Sequence, residues 1–117
     1  MAAIGSGRLF LRIGAVSGSL AVGAGAYGAH GQRIIEQEEY NKELYKTANR
    51  YHFLHSLALL AVPHCRKPLL AGSVMTSGMV MFCGALYYQA LTGDPSYVRV
   101  APTGGWLMIL GWAAMAL

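Results

Sequence analysis

The chain has 117 residues, of which 55% are hydrophobic and only 12% are charged, about half of the roughly 25% charged share of an average soluble domain. This composition argues against a soluble domain and favours one embedded in lipid. The formal net charge is +4, but the basic residues lie at the ends of apolar segments and not in a stripe beside aromatic residues, so we expect no nucleic-acid partner. The length predicts a single membrane domain, residues 1–117.

The first apolar segment, residues 9–29, is long enough to cross a bilayer core, which takes about 20 helical residues. Small residues recur along it at alternating steps of four and three: Gly14, Gly18, Ala21, Gly25 and Gly28. This period of 3.5 predicts a helix-packing seam along which another helix backbone can approach closely. We expect packing within the chain, with a homo-oligomer or a membrane-complex partner as the alternative.

The same segment also fits a secretory signal peptide. Arg8 and Arg12 precede an apolar stretch that reaches Ala24-Gly25-Ala26, a small-residue pattern typical of a cleavage site. The stretch is longer than a signal core and carries the seam, which favours retention, and cleavage of residues 1–26 stays open. The lack of acidic residues before Glu36 also fits import into mitochondria.

A charged segment, residues 33–50, precedes the second apolar segment, residues 51–65. Apolar and aromatic positions recur through both at steps of three and four: Tyr40, Leu44, Ala48, Tyr51 and His55. We therefore predict one amphipathic helix that begins outside the membrane and continues as the second span. Its acids and bases are typical of a solvated face.

The third apolar segment, residues 69–91, has no charged residue, and the fourth, residues 100–117, opens near Pro102, where a missing N–H is harmless in a first helical turn. Gly31 and Gly93 are predicted to end the first and third helices. Further small contact points are expected at Ser73, Ser77, Gly84, Gly104 and Gly111. The fold class is predicted to be all-α, an integral membrane four-helix bundle with a charged amphipathic extension before the second span.

Three histidines form the candidate metal or redox-cofactor site. His52 and His55 share a helix face, and alternation of the spans places them on the same side of the membrane as His30. Neutral imidazole binds zinc well, and two histidines on two helices could hold haem. The alternatives are hydrogen bonds between helices, which the absence of a His-Glu-x-x-His motif favours, and proton or quinone chemistry.

No catalytic signature is present in the sequence. It has no Walker loop, no dinucleotide fingerprint and no Gly-x-Ser-x-Gly motif. We predict no catalytic residue and no enzyme activity. A solute carrier is a further alternative, but a bundle of this size leaves little room for a pathway.

Four stretches carry a resemblance to a known family: "YGAHG" at 27–31, "HFLHSLALLAVPHCRKPL" at 52–69, "FCGALYYQALTGDPS" at 82–96 and "APTGGWLMILGW" at 101–112. Together they resemble the transmembrane protein 256 family of small multi-pass membrane proteins, which has bacterial relatives. The resemblance implies a four-span integral membrane protein of undetermined role and supplies no catalytic residue. It is consistent with a mitochondrial membrane. We expect a structural or interaction role, with cofactor binding at His30, His52 and His55 as the alternative.

Overall fold

The computed structural model describes residues 2–31, 38–97 and 99–117, and the side chains of residues 2–6 and 30 lie outside that description. Four helices account for most of the described residues: α1 (Ala2–His30), α2 (Glu39–Ala61), α3 (Pro68–Thr92) and α4 (Val100–Met115). Short 3₁₀ turns, Val62–His64 and Pro95–Tyr97, adjoin α2 and α4. The described part of the chain has no strand, and the all-α prediction is confirmed.

Two of these helices are long and apolar enough to cross a membrane, α1 from Gly7 to Ala29 and α3 from Pro68 to Thr92. The apolar part of α4 is shorter, Val100–Met115. α2 runs without a break from Glu39 to Ala61, so the charged extension and the second apolar segment form one helix. Passage of α2 and α4 through the membrane stays a prediction, as do the limits 51–65 and 100–117. The part of the charged segment that falls within residues 32–37 lies outside the described residues.

The turn after α3 follows the sequence signals closely. Gly93 has a φ of 77°, the left-handed conformation that glycine adopts without strain, and its N–H donates to Gln89 O at 2.7 Å. Asp94 then accepts hydrogen bonds from the hydroxyl and the backbone N–H of Ser96. These bonds hold the pKa of the Asp94 carboxyl below its ordinary value. The turn is therefore fixed by one glycine and one carboxylate.

The helices pack in chain order, α1 on α2, α2 on α3, and α3 on α4. α1 also reaches α3 where the ring of Phe10 covers Gly72. Leu59, Val62 and Met75 are fully buried at the centre of the core. The molecule measures 49 × 26 × 17 Å, longer than the roughly 30 Å hydrocarbon core of a bilayer, so one end must project from the lipid.

The closest approach between helices is that of α3 and α4. A Cβ added at Gly78 would lie 2.6 Å from Met108 N and 2.7 Å from Gly104 O. Gly111 packs in the same way against Met75, where a Cβ would meet the Met75 Cα at 2.9 Å. Gly104 and Gly111 are therefore contact points as predicted, while the matching glycine of α3 is Gly78.

The prediction was wrong for the other three small residues of α3. Ser73, Ser77 and Gly84 are exposed, and a Cβ added at Gly84 would have no atom within 4 Å. The physical reason is rotation of the helix, since the buried face of α3 passes through Gly72, Met75 and Gly78. The three wrongly predicted residues lie outside that buried face.

Candidate functional site

Polar side chains recur along one face of α2 at steps of four, three and four: Tyr45, Asn49, His52 and Ser56. We call this set the polar stripe. It lies against the predicted seam of α1, which runs antiparallel to it. Asn49 Nδ2 donates to Ala21 O at 2.9 Å, and the Tyr45 hydroxyl donates to Ala24 O. Two side chains of the polar stripe are thus satisfied by backbone carbonyls of α1.

The small residues of α1 make this contact possible. A Cβ added at Gly14 would lie 2.9 Å from Ser56 O, and one added at Gly25 would lie 3.1 Å from Asn49 Oδ1. A Cβ at Gly28 would collide with the Tyr45 ring, and Ala21 is fully buried. Gly18 is less crowded, with Ser56 Cβ at 4.0 Å. The five predicted helix-packing residues therefore face α2 within the same chain.

One end of this interface holds a pair of serines. Ser17 Oγ and Ser56 Oγ are 2.6 Å apart, and both residues are buried. Ser56 also donates to His52 O at 2.7 Å, so its single hydrogen is in use and the hydrogen of Ser17 serves the bond between the two hydroxyls. Met79 Sδ, 3.6 Å from Ser17 Oγ, competes for that hydrogen. The pair links α1 to α2 without a charge.

His52 belongs to a second chain of hydrogen bonds that reaches α3. Asn49 Nδ2 donates to the Tyr87 hydroxyl at 3.1 Å, and the same hydroxyl lies 3.1 Å from His52 Nδ1. If Tyr87 accepts from Asn49, its own hydrogen is free to go to His52, which leaves the imidazole proton on Nε2. This arrangement uses each hydrogen once and connects α1, α2 and α3 through three side chains.

His55 connects α2 to α4. The indole N–H of Trp112 can only donate, and it lies 3.0 Å from His55 Nε2, so this nitrogen must be the unprotonated acceptor. His55 Nδ1 lies 2.7 Å from Tyr51 O, which can only accept, so Nδ1 must carry the proton. His55 is therefore a neutral imidazole with both nitrogens engaged. A metal ion could bind Nε2 only after the bond to Trp112 was broken.

The three predicted metal ligands are only partly described. The side chain of His30 lies outside the described residues, so the complete set of His30, His52 and His55 stays a prediction. Among the described side chains, no group of three or more histidines, cysteines or acidic residues could hold a metal ion. His52 lies within hydrogen-bond distance of Tyr87, and His55 accepts a hydrogen bond from Trp112.

Comparison with known proteins places the chain in a family. Residues 24–105 match the family model described as "Protein of unknown function (DUF423)". The chain belongs to the DUF423 family. Its relatives include a UPF0382 membrane protein of Bacillus subtilis, 33% identical over 90% of both chains. Another, from Schizosaccharomyces pombe, is 34% identical over 88% of this chain and 94% of the relative.

The bacterial and fungal relatives are both called membrane proteins, and so is a Staphylococcus epidermidis relative that is 32% identical over 94% of this chain and 93% of its own. No solved structure matches the chain. The DUF423 chain is thus an integral membrane protein, as expected from its sequence, and its family is described as one of unknown function.

Several polar residues that matter for the packing of this DUF423 protein were not predicted from the sequence. His52 and His55 were predicted site residues, but their pairing with Tyr87 and Trp112 and the role of the stripe residue Asn49 were not. One signal was available, because the polar stripe of α2 repeats with the same 3.5-residue period as the seam of α1. The partners on α3 and α4 had no such signal, since pairing between distant helices is not encoded in local spacing.

Two concave regions flank the polar stripe. One is a pocket of about 340 Å³ between α1 and the charged part of α2. The other is an apolar groove of about 490 Å³ between α2 and α4, lined on one side by His55 and on the other by Trp106 and Trp112. The pocket has two lysines at its rim, Lys42 and Lys46, whereas the groove has no charged side chain among its lining residues.

Proposed function

We propose that this membrane protein has a structural or interaction role, in which a rigid helical bundle presents the charged part of α2 to a partner protein. The observation that carries the proposal is the set of side-chain hydrogen bonds from α2 to each of the other three helices. Ser56 binds α1, His52 binds α3 and His55 binds α4. Polar contacts of this kind in a bundle favour one arrangement of the helices.

The surface offered to the partner is a charged row on the outer side of α2, spaced at steps of four, three and four: Glu39, Glu43, Lys46 and Arg50. All four residues are exposed, and the side chains of Glu39 and Lys46 are 84% and 68% accessible. The acids lie toward the helix start and the bases nearer to the second apolar segment. In the predicted topology this row stands outside the lipid.

The order of charges favours one kind of partner. Two copies inserted in the same membrane with the same topology would have parallel α2 helices, so a symmetric pair would set acid against acid and base against base, which is unfavourable. A different protein with bases opposite Glu39 and Glu43 and acids opposite Lys46 and Arg50 would be complementary. We therefore propose a heterologous partner rather than a homo-oligomer at this surface.

A charge swap tests the proposal. Glu43→Lys combined with Arg50→Glu reverses the order of the row at constant net charge. We expect the wild-type chain, solubilised gently from its own membrane, to migrate on native gels in an assembly that the swapped variant does not form. Arg66→Glu, in the turn between α2 and α3, is the control and should leave migration unchanged.

Two differently tagged copies expressed together provide the second measurement. If the two wild-type copies co-purify and the charge swap abolishes this, the partner at the charged row is another copy. The proposal is then wrong. Equal migration of the wild type and the swapped variant would also contradict it. Unfolding of the two proteins should be compared first, and we expect similar stability because exposed ion pairs each contribute about 0–1 kcal/mol.

We also propose that the chain belongs to the transmembrane protein 256 branch of DUF423 and resides in a mitochondrial membrane. Support comes from the four resembling stretches, such as "YGAHG" at 27–31, and from the lack of acids before Glu36. Fractionation of cells that express the chain at its natural level tests the location. Enrichment with plasma-membrane markers would contradict it.

A further inference from the structure

The pocket between α1 and α2 combines an apolar floor with a basic rim. Its floor is made by Gly25, Gly28 and Ala29 of α1, which carry no side chain larger than a methyl group. Lys42 and Lys46 stand one helical turn apart on α2 at the other side. The pocket has a volume of about 340 Å³, which is large enough for a small polar headgroup.

The position of the pocket along α1 matches the depth of lipid headgroups. Ala29 is the last residue of the apolar stretch Gly7–Ala29, so the pocket lies where the helix leaves the hydrocarbon. Lysines at such a position keep their stems on apolar surface and extend their ammonium groups toward the headgroups. The side chain of Lys42 fits this description, since only 29% of it is accessible.

The charges at the pocket are suited to an anion. Among the described residues, the lining includes two lysines and no carboxylate. Each lysine has an acidic neighbour on its outer side, with Lys42 Nζ at 3.4 Å from Glu39 Oε1 and Lys46 Nζ at 3.6 Å from Glu43 Oε1. These are long contacts to exposed carboxylates, which hold an ammonium group weakly. A phosphate in the pocket could therefore draw both lysines inward.

The pocket also has an acceptor. Both hydrogens of Asn49 Nδ2 are used by Ala21 O and Tyr87, while Asn49 lines the pocket and its Oδ1 lies against Gly25, 3.1 Å from where a Cβ would be. An oxygen that can only accept suits a hydroxyl and repels a second phosphate oxygen. The lining thus offers two cations for a phosphate and one acceptor for a headgroup hydroxyl.

We propose that this pocket binds the headgroup of an anionic phospholipid whose phosphodiester carries a polyol, such as phosphatidylglycerol. Lys42 and Lys46 bind the phosphate, Asn49 Oδ1 accepts a hydroxyl, and the acyl chains descend along the small residues of α1. Basic pockets between membrane helices bind anionic lipid headgroups. The site shares Lys46 with the charged row but differs from it in facing α1 and in using Lys42 and Asn49.

The test is a lipid titration of the purified full chain in neutral detergent, with bound lipids counted by native mass spectrometry. We expect phosphatidylglycerol to bind more tightly than phosphatidylcholine. Lys42→Gln with Lys46→Gln should weaken the binding of phosphatidylglycerol roughly thirtyfold, given about 1 kcal/mol per lysine near an anionic headgroup and 1.4 kcal/mol per tenfold. Arg66→Gln with Lys67→Gln removes two cations outside the pocket and should leave binding unchanged.

Two steric variants distinguish binding in the pocket from unspecific attraction of the lipid to positive charge. Ala29→Leu fills the pocket from its exposed edge and should weaken binding, while Ala26→Leu, on α1 but outside the lining, should not. Equal loss in the Lys42/Lys46 and Arg66/Lys67 variants would overturn the proposal, and so would equal binding of the two lipids. Displacement of the lipid by inorganic phosphate alone at similar concentrations would identify a soluble anion as the ligand and would also overturn it.

Discussion

The contact between α3 and α4 gives the sharpest prediction. Replacing glycine by alanine at two positions of α3 should change the free energy of unfolding in opposite directions. Gly78→Ala places a methyl group against backbone atoms, Met108 N at 2.6 Å and Gly104 O at 2.7 Å. Gly84→Ala places the same group where no atom lies within 4 Å. Both glycines are inside α3, so both substitutions alter helix propensity in the same way.

The contributions of helix propensity and of overpacking can be separated. Alanine is favoured over glycine in a helix by about 1 kcal/mol, so Gly84→Ala should raise the free energy of unfolding by up to that amount. Overpacking costs about 1–3 kcal/mol, and here the obstructing atoms are backbone, which can retreat only if the helices separate. Because helix propensity changes equally in both variants, it cancels when their free energies of unfolding are subtracted. Gly84→Ala should therefore be the more stable variant by about 1–3 kcal/mol.

The assay is reversible unfolding of the purified chain in mixed micelles, driven by an increasing fraction of anionic detergent. Trp106 and Trp112 lie on α4 and report its separation from α3 by fluorescence. Equal stability of the two variants would refute the close approach of α3 and α4, since the added methyl group would then meet nothing at either position. An increase in stability for Gly78→Ala would refute it as well.

Two further predictions concern single polar contacts. Trp112→Phe removes the donor to His55 Nε2, and a double-mutant cycle with His55→Leu should give a coupling of about 0.6 kcal/mol, the average for hydrogen bonds between membrane helices, and at most about 1.7 kcal/mol. A coupling of zero would show that the bond does not link α2 to α4. The second prediction concerns Asp94, whose pKa is lowered in the folded chain. The stabilisation of the fold by its ionised carboxylate is complete above the ordinary carboxyl pKa of roughly 3.9. This stabilisation is lost as the pH falls through the pKa that Asp94 has in the folded chain. The free energy of unfolding should therefore decrease more steeply with falling pH for the wild type than for Asp94→Asn.

The sequence predicted the parts of the fold that depend on local spacing. The end of α3 at Gly93 follows from the left-handed conformation that glycine adopts without strain. α1 ends one residue before Gly31, and the seam of α1 follows from a period that one helix alone displays. The charged and apolar parts of α2 form one helix because the apolar positions keep their period across the boundary. These features need no knowledge of the neighbouring helices.

The features that were missed depend on rotation and pairing. α3 is apolar on all sides, so hydropathy cannot distinguish the face of Gly78 from that of Gly84. The histidines were visible as polar residues in an apolar context, but their partners Tyr87 and Trp112 are 35 and 57 residues away. Such pairs are set by the packing of whole helices.

The dependence of the polar stripe on α1 has a consequence for the order of assembly. Tyr45, Asn49 and Ser56 find their partners at residues 24, 21 and 17 of α1. Cleavage after Ala26, the signal-like position, would remove all three partners at once, from both the charged and the apolar part of α2. We therefore expect α2 to pack stably in the bundle only beside an intact α1.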